Sequence, residues 1–252
     1  NKIKVIDMLK IMNMRKAILL IHGFAGGNYD YGDLGNDLQV YRNFDVFTFT
    51  LPGHDKLKIN NVTKEDWIKA GEDQIEKIIK NGYKSIYIIG HSMGGIIASH
   101  LASKYKEVKK LVLAAPAFKY LSFKENKIDI VESIKKVPKL FIDYDSETLI
   151  SRILKAPILT IKEFMDLAET HTDDVKKIQI PTLILHGTKD ELVPVDSVNY
   201  VYDNIGSTSV TLIELKDITH EVFINNRYEE IKKIILNFFI GYNFNMKTRK
   251  KI

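Results

Sequence analysis

The sequence has no cysteine, which excludes disulfides and thiolate-bound metals and removes any mark of redox compartment. Nor does any apolar run approach the roughly 20 residues that cross a bilayer. Residues 16–21 fall well short and lead straight into His22-Gly23. Residues 1–14 lack the order of charged, apolar and small residues that marks a cleavable signal, so a cytoplasmic protein with no integral membrane segment is expected. H-E-x-x-H, a Walker loop and G-x-G-x-x-G are all missing, and the glycines of residues 23–27 lack the spacing and downstream acid of a dinucleotide site. No cofactor and no metal are expected. The formal charge is +5, but the lysines scatter over helix-like faces instead of forming a stripe, which argues against nucleic acid as a partner. The compact basic cluster Lys247, Arg249, Lys250 and Lys251 reads as a frayed tail.

What is present is an ordinary globular composition, 45% hydrophobic over 252 residues, enough for one packed domain with an insertion. The continuous apolar run at residues 17–21 reads as a strand buried on both faces, the apolar stretches at 44–51, 85–89 and 108–115 read as further strands, and helical spacing between them gives a strand–helix alternation. One of the helices opens at Thr63-x-x-Asp66, a variant capping box, and stops at Asn81-Gly82. The rhythm fails over residues 117–180, where helix-like patches at 128–136, 147–154 and 160–169 replace strands, and resumes with strands at 181–186 and 209–215 and a final amphipathic helix. The expectation is an α/β protein with a doubly wound, mostly parallel sheet. Residues 1–116 and 181–252 form its core, and residues 117–180 are an inserted helical cap.

The stretch Gly90-His91-Ser92-Met93-Gly94 follows an apolar strand and precedes a small-and-apolar helix. A serine at such an apex is held in a strained conformation, and its flanking glycines keep any Cβ from colliding with the neighbouring strand and helix. The same turn leaves the Met93 amide unpaired at the helix start, as half of an oxyanion site.

A serine nucleophile needs a histidine base and a carboxylate behind it. In an open parallel sheet reacting groups gather beyond the carboxyl ends of strands, which keeps His22, His54, His186 and His220 in contention and disfavours His100 and His171 on helices. His91 is expected to point away. His22 and His186 sit at strand ends before glycine and His54 in a turn, where backbone hydrogen bonding is the usual role, so these three read as scaffold. His220, in the loop after the last strand, is the candidate base. Asp190 lies just beyond the strand that ends at His186, with Glu191 and Asp196 as competitors. The order Ser92, Asp190, His220, each after a predicted strand, is the order used by one fold.

His22-Gly23-Phe24, Pro52-Gly53-His54, Gly90-His91-Ser92-Met93-Gly94-Gly95, His186-Gly187-Thr188-Lys189-Asp190 with Val193-Pro194, and Thr219-His220 span nearly the whole chain. In this order they resemble the α/β-hydrolases, and most closely their small carboxylesterase and monoacylglycerol-lipase-like branch. The resemblance implies a cofactor-free esterase for a small-molecule ester of short to medium acyl length. It makes Ser92 the nucleophile, His220 the base, Asp190 its orienter, and the amides of Phe24 and Met93 the oxyanion hole. Asp55 and Thr219 stand where the family often has glycine. A thioesterase or small-substrate peptidase of the same fold, and a non-catalytic binding protein, are the alternative readings.

Overall fold

The apolar runs become neighbouring strands of one sheet in the computed structural model, which describes residues 15–41, 43–54, 60–119, 153, 156–241 and 246–252. The elements in chain order are β1 (Lys16–Ile21), α1 (Leu34–Gln39), β2 (Phe44–Thr48), α2 (Lys64–Lys80), β3 (Ile86–His91), α3 (Met93–Lys104), β4 (Val108–Ala114), α4 (Ile158–His171), β5 (Thr182–Gly187), α5 (Val195–Asn204), β6 (Val210–Leu215), α6 (Tyr228–Ile240) and β7 (Lys247–Lys251). Short 3-10 turns add Asn28–Tyr31 and Thr172–Lys177. The strand order is β2-β1-β3-β4-β5-β6-β7, and every neighbouring pair is parallel. Each parallel pair needs a crossover over a sheet face, so both faces end up covered.

The alternation of strand side chains sorts the core into two layers. Leu19, Ile21, Ile88, Leu111, Leu113 and Ile184 join the layer of Trp67 and Ile75 on α2, Ile97 and Leu101 on α3, Phe164 and Leu167 on α4, and Val198 on α5. Ile18, Leu20, Ile89, Val112, Leu183 and Leu185 join the layer of Leu34 and Leu38 on α1 and Ile231, Ile235 and Phe239 on α6. α2 starts where the sequence indicates: Thr63 Oγ1 accepts from the Asp66 amide while the Asp66 carboxylate accepts from the Thr63 amide, a complete capping box.

Two elements differ from the sequence reading. The C-terminal basic cluster is no frayed tail but β7, an edge strand paired to β6, with Thr248 against Thr211 at 3.1 Å and Arg249 ion-paired to Glu214. Its exposed lysines put charge on a sheet edge, which discourages pairing with other chains. α5 has no counterpart in the sequence reading at all.

Of the stretch 117–180, α4 forms the third helical patch. The patch at 128–136 and nearly all of the one at 147–154 lie outside the described residues. Ser197 on α5 holds the start of this stretch to the core, donating to the Pro116 carbonyl at 2.6 Å and accepting from the Lys119 amide at 3.0 Å.

Candidate active site

The turn after β3 is tight because backbone closes on it from every side. A Cβ at Gly94 would lie 2.0 Å from the Ile21 carbonyl oxygen, and one at Gly90 2.4 Å from that of Gly94. Ser92 has φ 55°, a conformation that costs a non-glycine residue of order 1–3 kcal/mol. It is held there by its amide on the Ala114 carbonyl at 2.9 Å and by its carbonyl, which accepts from Gly95 at 2.9 Å and Ala117 at 3.2 Å. Among the described residues three other non-glycine positions have positive φ: Ala25, Ala115 and Asp217, which follow β1, β4 and β6. All four therefore lie along the carboxyl edge of the sheet. From below, the Tyr31 hydroxyl lies 2.6 Å from the Ile21 carbonyl and 2.9 Å from that of Ile89, joining the ends of β1 and β3.

Beyond β5 and β6 two side chains meet. Asp190 Oδ1 accepts from the amides of Leu192 at 3.0 Å and Val193 at 2.9 Å, and its Oδ2 accepts from His220 Nδ1 at 2.9 Å. The carboxylate is fully enclosed. Burial pushes its pKa up, but the His220 ring, the Val193 amide and His186 outweigh that and hold Asp190 below the ordinary carboxylate value. Glu191 and Asp196, the competing acids, are exposed. With Nδ1 bound to Asp190, Nε2 is the ring nitrogen of His220 left for chemistry.

His91 does not simply point away. Its Nε2 donates to the His220 carbonyl at 3.0 Å and the two rings lie 4.8 Å apart, which ties the His220 loop to the residue preceding Ser92. Burial lowers its pKa, yet Asp30, 3.9 Å from Nδ1, and the His220 carbonyl carry it above the ordinary value. Ser92 and His220 share no hydrogen bond among the described residues; such contacts are often long in a free enzyme.

His22, His54 and His186 act on backbone, as the sequence reading expects. His22 donates from Nδ1 to Gly23 at 2.9 Å and accepts from the Leu51 amide at 3.0 Å. His54 donates to Pro52 at 3.0 Å and accepts from the Ala25 amide at 3.2 Å. Together they bracket the loop that carries Phe24, whose ring packs on Phe164 of α4 with centroids 5.1 Å apart. The amides of Phe24 and Met93 have no backbone partner among the described residues. His186 donates from Nε2 to the Val193 carbonyl at 3.1 Å.

Burial, opposed by the bond to Gly23 and aided by His54, pushes the His22 pKa down to about 4. Because this is below the value in the unfolded chain, the stability it contributes is complete above about pH 6.5 and is lost as pH falls toward 4, a loss of roughly 3 kcal/mol. His91 has the opposite sign, its contribution fading as pH rises. Urea denaturation from pH 7 to 4 is expected to show the loss in the wild type and a flatter dependence in His22→Gln. Equal slopes in the two proteins would refute it.

A strained serine between a parallel strand and a helix, with an enclosed Asp–His pair two and three strands along the same edge, is the arrangement of the α/β-hydrolases. The Hydrolase_4 family, described as serine aminopeptidase S33, matches residues 12–227, and the chain belongs to it. It is 25% identical over 228 residues to a carboxylesterase of Bacillus subtilis, covering 88% of this chain and 92% of the relative. With a monoacylglycerol lipase of Mycolicibacterium smegmatis it shares 23% identity, over 83% and 82% of the two chains. Among solved structures it superposes on a metagenome-derived lipolytic enzyme with a TM-score of 0.72 at 18% identity, over 91% of this chain and 95% of the other. On the monoacylglycerol lipase of Paleococcus ferrophilus the TM-score is 0.66 at 22% identity, over 89% and 93%. Among the described residues no helix is long and apolar enough to cross a membrane.

Proposed function

We propose that the protein hydrolyses carboxylic esters through an acyl-Ser92 intermediate. The observation that carries this reading is the enclosed carboxylate of Asp190 on His220 Nδ1, 2.9 Å away, on the edge where Ser92 stands strained. His220 Nε2 takes the Ser92 proton as Oγ attacks the ester carbonyl, and the amides of Phe24 and Met93 stabilise the resulting oxyanion. His220 then returns the proton to the departing alkoxide. Water repeats the sequence on the acyl-serine and regenerates the enzyme, so the chemistry calls for no cofactor. The carboxylesterase and monoacylglycerol lipase names among the relatives support an ester over an amide substrate.

The reading includes a cap formed by residues 117–180. It leaves the carboxyl edge of the sheet after β4, and α4 brings Phe164 onto Phe24 beside the proposed oxyanion amide. Such a cap limits acyl length, each buried methylene adding about 0.8 kcal/mol until the chain meets a wall. Across p-nitrophenyl esters from acetate to palmitate, kcat/KM is expected to rise, peak at short to medium length and fall, with the peak moved to longer chains in Phe164→Ala. A flat profile unmoved by the substitution would refute the cap's role. The family description favours a second reading, cleavage of small amides. Aminoacyl p-nitroanilides run beside the esters decide between the two by leaving group.

A further inference from the structure

A second cluster of reactive side chains lies away from Ser92, where α2, α3 and the end of α4 meet. His100 Nδ1 and His171 Nδ1 both converge on Asp174 Oδ2, at 2.9 and 2.8 Å. The two imidazole rings are 4.7 Å apart, and the three ligand atoms lie within 4.8 Å of one another. On its far side His100 Nε2 is 2.9 Å from Glu72 Oε1. Lys177 meets Asp174 Oδ1 at 2.8 Å, and Lys104 meets Glu72.

Both nitrogens of His100 thus face carboxylate oxygens, which only accept hydrogen bonds. A neutral imidazole can donate from one nitrogen alone, so a His100 that donates from Nε2 to Glu72 turns the lone pair of Nδ1 toward Asp174, the arrangement that a metal ion shared between them would complete. We propose that His100, His171 and Asp174 form a binding site for a divalent transition metal of the zinc class. Two imidazole nitrogens and one carboxylate oxygen are donors suited to that class, whereas calcium and magnesium take oxygen ligands. With the ion bound to Nδ1, neutral His100 keeps its proton on Nε2 and donates it to Glu72, the outer carboxylate that commonly orients a metal-bound histidine.

Ligands about 2.0–2.2 Å from a tetrahedral ion stand roughly 3.4 Å apart, so the donors need to move by only about an ångström. His171 and Asp174 lie three residues apart where α4 passes into a 3-10 turn, and small adjustments of that turn can supply the movement. An open cleft lined by Lys64, Ile68, Glu72, Thr170 and His171 reaches the edge of the cluster and gives the ion a route to it. The ion would pin the end of α4 to α3, the helix that follows Ser92. No metal-binding spacing is visible in the sequence because His100 and Asp174 are 74 residues apart.

The test is a Zn²⁺ titration of the chelator-stripped full chain by calorimetry, with metal analysis after dialysis. One equivalent is expected to bind with a micromolar or tighter Kd, weakening as pH falls because protons compete for both histidines. His171→Ala and Asp174→Asn should each weaken it by about 100-fold or more, and Glu72→Gln by about 10- to 100-fold. His220→Ala should leave it unchanged, which separates this site from the proposed catalytic histidine. Should a variant fail to fold, Co²⁺ added to the wild type is expected to give the intense visible absorption of a tetrahedral site. No saturable binding by the wild type, binding insensitive to His171→Ala, or binding lost in His220→Ala would overturn the proposal and leave a clamp held by protons alone.

Discussion

Ser92→Ala is expected to abolish ester turnover, by on the order of 10⁶-fold in kcat if the loss matches that of other serine nucleophiles, while the urea midpoint stays close to wild type. The fold is spared because the strained turn is held through the Ser92 backbone, on Ala114, Gly95 and Ala117. Alanine keeps the same Cβ in the same place. Ser92 Oγ is the atom lost, and it has no partner among the described residues whose packing depends on it. Turnover of p-nitrophenyl esters and labelling by a fluorophosphonate check the two halves of this expectation. Retained turnover in a folded, unlabelled variant would remove Ser92 from the mechanism.

A loss of the same order is expected for His220→Ala, with little further loss in the double variant, because the proposed nucleophile and base would act as one unit. Asp190→Asn should cost less, about 10⁴-fold in kcat. An asparagine oxygen can still accept from the Leu192 and Val193 amides, so the loop keeps its shape. Its NH₂ would then face His220 Nδ1 with a donor against a donor. The ring must move its proton to Nε2, and the nitrogen needed as base is blocked. Asp196→Asn is the control, since that side chain is exposed, and its kcat should be unchanged. If Asp196→Asn proved the more damaging with both proteins folded, the acid assignment would fail.

What the sequence made legible was local. The elbow could be read because strand, turn and helix are contiguous, and α2 because its capping box lies three residues deep at one end. The Asp190–His220 pair was legible only at one remove. Strand ends bring distant loops to one edge, and topology narrowed seven histidines to a few. α5 escaped notice because β-branched Val195, Val198 and Val201 supply its helical spacing, a weak helix signal. β7 escaped because a lysine-rich edge strand has no apolar alternation to detect; it is held by backbone pairing to β6 and by Arg249 on Glu214. The contact of His91 with the His220 carbonyl spans 129 residues, and no spacing rule reaches it.

The four strained residues on the carboxyl edge bear on how this protein can be engineered. At of order 1–3 kcal/mol each, their summed strain is comparable to the net stability of a typical domain. Substituting glycine at Ala115 or Asp217 would ease the backbone and raise thermal tolerance, but it would also loosen the frame around Ser92 and His220, the proposed nucleophile and base. Selection for heat resistance alone would therefore be drawn to this edge, and the variants it favoured would trade turnover for durability.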